Sequence, residues 1–166
     1  DVYKRQTDSS DLDELLAVQE KQHQEFLREA QKLSEARHKH SKRFCQAVEK
    51  YMHALGIGHG ALSLVFLEHE GEQGLEHVEL HVTTNEKFAP GPLNRIASGG
   101  EQTRISLAIQ IVAAANSALP CLMLDEADVG VGGTTADTVG RILRELAEHT
   151  QVICAVSYTH LRAHET

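Results

Sequence analysis

Two short stretches of this 166-residue chain put chemically capable residues where backbone geometry can use them. The first is Ala97-Ser98-Gly99-Gly100-Glu101, at the head of an apolar, periodic run. Ser98 followed three residues later by Glu101 is a capping box, worth about 1 kcal/mol of helix stability with no ligand involved. Gly99 and Gly100 inside the first turn cost helix stability, which a cap alone does not require. Their missing side chains let a phosphate approach bare amides at the positive end of a helix dipole. The second stretch is Cys121-Leu122-Met123-Leu124-Asp125-Glu126, an apolar run ending in two acids. It reads as a buried central strand of a parallel sheet, and ligands in open α/β sheets bind at the carboxyl ends of strands. Adjacent carboxylates there can divide labour, Asp125 helping to hold a magnesium ion and Glu126 polarising a water against a phosphoryl group. Such general-base assistance is worth roughly a hundred- to ten-thousandfold in rate. Taken alone, the run is equally compatible with two acids that end a strand and enter a solvated turn. No G-x-x-x-x-G-K-[ST] phosphate loop occurs in the chain, so one part of a phosphate site is present without the other.

Both stretches need elements to position them. Leu12, Leu16, Gln19, His23, Phe26, Ala30, Leu33, Arg37, His40, Phe44, Val48, Tyr51 and Leu55 recur at spacings of mostly four and three, with no Pro or Gly before Gly56. That heptad-like stripe predicts one helix extending on the order of 65 Å, a coiled-coil arm. Its polar members point to a specific partner helix rather than an identical copy. The basic cluster Arg37 to Arg43 on this helix reads as a solvated face before it reads as a DNA contact. Gly56 to Gly60 ends the helix, and "ALSLVFLEH", "EGEQG" and "HVELHVTT" predict a half-buried β-hairpin. "NEKFAPGPLNR" predicts a loop. Beyond Ser98 come an interior helix apolar on nearly all sides, the strand "CLMLDE", an amphipathic helix with Val139, Ile142, Leu143 and Leu146 inward, and a buried strand "QVICAV". Strand, helix, strand gives a βαβ unit.

Composition narrows the class. The chain is 41% hydrophobic, only 4% aromatic and lacks Trp, so its core is aliphatic. A net charge of −8 argues against nonspecific nucleic-acid binding by the chain as a whole. Cys45, Cys121 and Cys154 form no C-x-x-C pair, which suits a reducing cytoplasm and predicts neither a zinc site nor a disulfide framework. No apolar run reaches membrane-spanning length, and no signal-peptide pattern opens the chain. His77 and His81 have helical chelating spacing, but on a strand they stand roughly 13 Å apart and read as solvent-facing.

The combination of a Ser-Gly-Gly helix start, an apolar strand ending in Asp-Glu some two dozen residues later, and a long heptad helix leading in resembles the ATPase heads of ABC type found in structural-maintenance-of-chromosomes (SMC) relatives. Within them it is similar to a bacterial DNA repair branch, across roughly Leu12 to Cys154. "SGGE" resembles the signature motif, "CLMLDE" the Walker B strand and "ADVGVGG" the D-loop. The resemblance implies an α/β fold: the C-terminal half of an ABC/SMC-type head, with a P-loop-NTPase-like parallel sheet and a β-hairpin, preceded by a long coiled-coil helix. It implies residues 7–56 as the arm and 57–156 as the half-head. Asp125 would help hold Mg2+ and Glu126 would activate water, while Ser98, Gly99, Gly100 and Glu101 would meet ATP bound to a second head. Asp128 would lie in the D-loop across the dimer seam. The implied partners are the N-terminal half of the same polypeptide, a second head in a homodimer, and DNA, with no membrane. The implied setting is cytoplasmic and nucleoid-associated, and the implied work is DNA double-strand break repair. The same features would also serve a nonenzymatic coiled-coil adaptor or another SMC-like ATPase; a transporter ATPase fits the heptad helix poorly.

Three positions depart from that pattern. Gly132 stands where many D-loops end in Asp, and Ser157 stands where the switch histidine is expected, with His160 in a similar word three residues late. Residues 1–6 and 157–166 resemble translated sequencing-adapter ends and are expected to be non-native, so His160 is not among the candidate residues.

Overall fold

The computed structural model describes residues 2–85, 87, 89–117, 120–125 and 132–155, with side chains from residue 12 onward. Helix α1 spans Val2–Ala54, and its richness in Glu, Gln, Lys, Ala and Leu is what sustains so long a run. It ends where Gly56 adopts φ 84°: the Gly56 amide donates to the His53 carbonyl (3.1 Å) and the Ile57 amide to that of Met52 (3.0 Å), a Schellman arrangement. Strands β1 (Ala61–Gly71) and β2 (Gly74–Thr83) follow, separated by Glu72 and Gln73, with Gly74 at φ 110°. The expected hairpin is therefore present, and both His77 and His81 sit on β2.

The stretch read as a loop contains more structure than that. Strand β3 (Gly91–Pro92) pairs antiparallel with β2, His81 opposite Pro92 and Val82 opposite Gly91, giving the order β1-β2-β3. A one-turn helix α2, Leu93–Ile96, follows at once. Proline is tolerated in β3 because this is a sheet edge, where its missing N–H leaves no ladder bond unmade.

Helix α3 (Gly99–Ala115), strand β4 (Cys121–Leu124), helix α4 (Thr134–Leu146) and strand β5 (Gln151–Cys154) complete the order. β4 and β5 run parallel, in register from Cys121 opposite Gln151 to Leu124 opposite Cys154, so the expected βαβ unit forms. Its strands are not buried on both faces as expected. Leu124 is buried and Leu122 and Val152 pack on the core, but Met123 is 74% exposed and its register partner Ile153 46%. Two strands with helices on one side leave the alternate side chains uncovered.

Two compact units divide the chain: residues 1–40 with 66–78, and 41–65 with 79 onward. In the first, Ala30 is buried while Leu12, Leu15, Leu16, Val18 and Leu33 are exposed. A polar cluster joins α1 to β2 there. The Ser34 hydroxyl donates to Glu76 Oε1 (2.8 Å), and His38 Nε2 lies 2.7 Å from the same oxygen, with the His38 ring stacked on Phe66 at 4.0 Å between centroids. Burial pushes the Glu76 carboxyl up, but Ser34, His38 and Arg37 together outweigh it and hold it below its ordinary value. The second unit has an aliphatic core: Val48 and Met52 of α1 and Leu55 just past its end, Ile105, Leu107, Ala108, Ile111 and Val112 of α3, with Leu62, Val82, Leu124, Val139 and Ile142. As expected, α3 is apolar almost all round and sits at the centre of this core.

Candidate functional site

The first turn of α3 is built by its own side chains. Ser98 is the N-cap with extended backbone (φ −65°, ψ 162°), and the capping box is formed. Glu101 Oε2 accepts from the Ser98 amide (2.8 Å) and the Ser98 hydroxyl (2.7 Å). Those two bonds, with smaller help from Thr84 and the Arg104 charge, outweigh partial burial and hold Glu101 below the ordinary carboxylate range. Glu101 is thus an ionised structural cap whose inner oxygen is already engaged. Gln102 Nε2 donates to the Ala97 carbonyl (2.9 Å) and Thr103 Oγ1 to that of Gly99 (3.1 Å).

Gly99 is exposed, and a Cβ built on it would meet nothing within 4 Å. Packing within the described chain therefore gives no reason for glycine there. The Ser98 side is likewise exposed and Gly100 half-buried, so the turn presents its amide end outward.

Asp125 immediately follows β4, exposed, at the strand's carboxyl end. A cleft of about 310 Å3 runs between it and α3, lined by Gly99, Gln102, Thr103, Ser106, Leu107, Gln110, Leu124 and Asp125. One wall is a helix start with backbone amides and hydroxyl and amide side chains; the other ends in a carboxylate. That donor set suits phosphate oxygens on one side and a hard cation on the other. The structure thus brings Gly99 and Asp125 to one cleft, with Ser98, Gly100 and Glu101 on the adjoining turn. Glu126 and Asp128 lie outside the described residues, as do Ser157 and His160. Gly132 is exposed and precedes Gly133, whose φ of 55° opens α4.

Two participants were not read from the sequence. Thr84 reaches Glu101 from the end of the hairpin, a contact no local pattern announces. Arg104 does carry a sequence signal, as the lone cation of α3, and its Nε donates to the Gly100 carbonyl (3.2 Å). The basic cluster also divides: His38 is engaged by Glu76 and Arg37 is half-buried, whereas Lys39, His40, Lys42 and Arg43 are exposed. Among the described residues, no group of three or more His, Cys, Asp or Glu could hold a metal by itself, and no helix is long and apolar enough to cross a membrane.

The DNA repair protein RecN of Xylella fastidiosa strain Temecula1 is 39% identical over 136 residues, 80% of this chain and 24% of that protein. RecN of Haemophilus influenzae is 35% identical over 161 residues, 95% of this chain and 29% of that protein. Over the stretch they share, this chain belongs to the RecN family. It spans about a quarter of the length of these curated relatives. No family model matches it. Among solved structures, the Smc head domain with a coiled coil and joint from Pyrococcus yayanosii superposes with a TM-score of 0.60 at 18% identity, covering 93% of this chain and 29% of that one. The Smc head with an extended coiled coil from Pyrococcus furiosus gives 0.60 at 18% identity, covering 94% and 39%. The fold of this RecN-family chain is therefore that of an SMC-type head segment with its helical arm.

Proposed function

We propose that this chain supplies the C-terminal half of an ATPase head that works on DNA double-strand breaks, with ATP sandwiched between two engaged heads. The observation that carries the reading is the start of α3: an exposed Ser-Gly-Gly turn whose first glycine has open space around it, in a chain without a phosphate loop. The ligand such a turn suits is then held by another segment. Ser98, Gly99 and Gly100 would meet the γ-phosphate of ATP bound to the opposite head, with Glu101 keeping the turn formed. Asp125 would hold Mg2+, which when bound neutralises phosphate charge. Glu126 would orient and deprotonate the attacking water, and Asp128 would lie at the head-to-head seam. The uncovered Met123 and Ile153 face supports the same division, since a parallel sheet is ordinarily covered on both faces and the N-terminal half would supply the second covering layer. Hydrolysis would release the heads and so change how arms and heads hold DNA.

The test joins this chain to a RecN N-terminal half carrying a phosphate loop and follows its mass by light scattering. ATP with Mg2+ is expected to double the mass, Glu126→Gln to prolong the dimer, and Ser98→Arg to abolish it. A protein that stays monomeric with ATP favours the adaptor reading. The chain alone is expected to show no ATPase; Mg2+-dependent turnover by it, abolished in Glu126→Gln, would overturn the division of labour.

A further inference from the structure

We propose that Arg104 is a positioning residue that ties the last turn of α1 to the first turn of α3, so that the coiled-coil helix and the phosphate-facing turn are displaced together. The Schellman arrangement at the end of α1 satisfies the carbonyls of Met52 and His53 and does not use that of Leu55. Arg104 does: its Nη1 donates to the Leu55 carbonyl (3.2 Å), 49 residues away in sequence, while its Nε donates to the Gly100 carbonyl (3.2 Å). One planar guanidinium thus bridges two helices, and its cation sits at the negative end of the α1 dipole.

The joint is stiff on both sides. Met52 and Leu55 are fully buried in the core, as is Ile105 beside Arg104, so neither helix end shifts without moving packed side chains. The positive φ of Gly56 (84°) is what asks for glycine; a Cβ there would make ordinary contact with Arg104 Nη1 (3.4 Å) and Thr135 Oγ1 of α4 (3.5 Å). On the other side Arg104 also favours the ionised Glu101, which holds Ser98. The path runs from the Leu55 carbonyl through Arg104 to Gly100, Glu101 and Ser98. That this sets nucleotide engagement rests on the proposed function above; the linkage of the two helix ends does not. A lysine, with one compact ammonium, cannot serve both carbonyls in the fixed geometry of the fork.

Amide hydrogen exchange on the chain tests the linkage. Arg104→Gln is expected to speed exchange about tenfold at Gly56 and Ile57 and, together with them, at Gln102 and Thr103, with Arg104→Lys intermediate and core amides such as Ile111 unchanged. Gly56→Ala strains the joint from the α1 side, through the positive φ of residue 56, and is expected to speed exchange at Gln102 and Thr103. Acceleration confined to α3, or equal acceleration of every amide, would overturn the linkage; if Arg104→Gln does not fold, Gly56→Ala and Arg104→Lys decide it. In the joined protein, Arg104→Gln is expected to raise the ATP concentration for half-maximal dimerisation about tenfold. If the unsubstituted protein does not dimerise, the proposed function fails while exchange still decides the linkage. If it dimerises and Arg104→Gln does so at the same ATP concentration, the consequence for nucleotide is wrong.

Discussion

The arm-and-hairpin-tip unit and the α/β unit spend their apolar residues differently. In the first, the heptad stripe is exposed at Leu12, Leu16 and Leu33 and buried at Ala30, and hydrogen bonds and a ring stack gather around Glu76. In the second, the same stripe turns inward at Val48 and Leu55 and, with Met52 beside it, joins an aliphatic core. One helix therefore carries two kinds of surface, an exposed apolar stripe and an anchor buried in the core. The exposed leucines gain nothing from water.

This contrast can be broken by substitution. Ile105→Ala in the α/β core is expected to destabilise the chain by roughly 2–5 kcal/mol in urea unfolding, whereas Leu16→Ala should change it by less than about 0.5 kcal/mol. An equal cost at Leu16 would mean that the stripe is already covered, for example by a second copy. Of intermediate size, Ser34→Ala should cost about 1 kcal/mol by removing a donor from Glu76, whose Oε2 is buried without a partner. Local exchange in β2 would report it, and no change there would show that the Glu76 cluster does not hold the hairpin tip. A pH-dependent effect concerns the α3 cap. Glu101 has a lowered folded pKa, so its contribution is present above the unfolded pKa and is lost as pH falls through the folded one. Comparing the chain with Glu101→Gln from neutral pH into the acid range, a stability difference below about 1 kcal/mol should shrink to nothing. A difference that persists in acid would assign the cap to neutral hydrogen bonding.

Much of this was legible from sequence because the causes are local. The helix of the arm follows from side-chain spacing and the absence of breakers before Gly56, the hairpin from alternation, and the α3 start from two residues three apart. The candidate site was legible in part: Gly99 and Asp125 do border one cleft, as a helix start and a strand end should. The reading erred where a local signal was overruled by a neighbour. Pro90-Gly91-Pro92 looked like pure loop, yet β2 offers an edge that tolerates two paired residues. Cys121 to Leu124 looked like a central strand, yet Met123 faces outward because the described sheet has two strands and a covering on one side.

The sequence by itself determined the elements, their order and the chemical types at the start of α3 and the end of β4, since each depends on interactions within a few residues. Only the tertiary structure decided that Arg104 reaches the Leu55 carbonyl, that Thr84 supports Glu101, that Ser34 and His38 meet Glu76, and that Ile153 stands exposed beside Met123. Those contacts join residues far apart in the chain, and no periodicity encodes them; they exist because buried helix ends must place their carbonyls and charges somewhere, and packing fixes where.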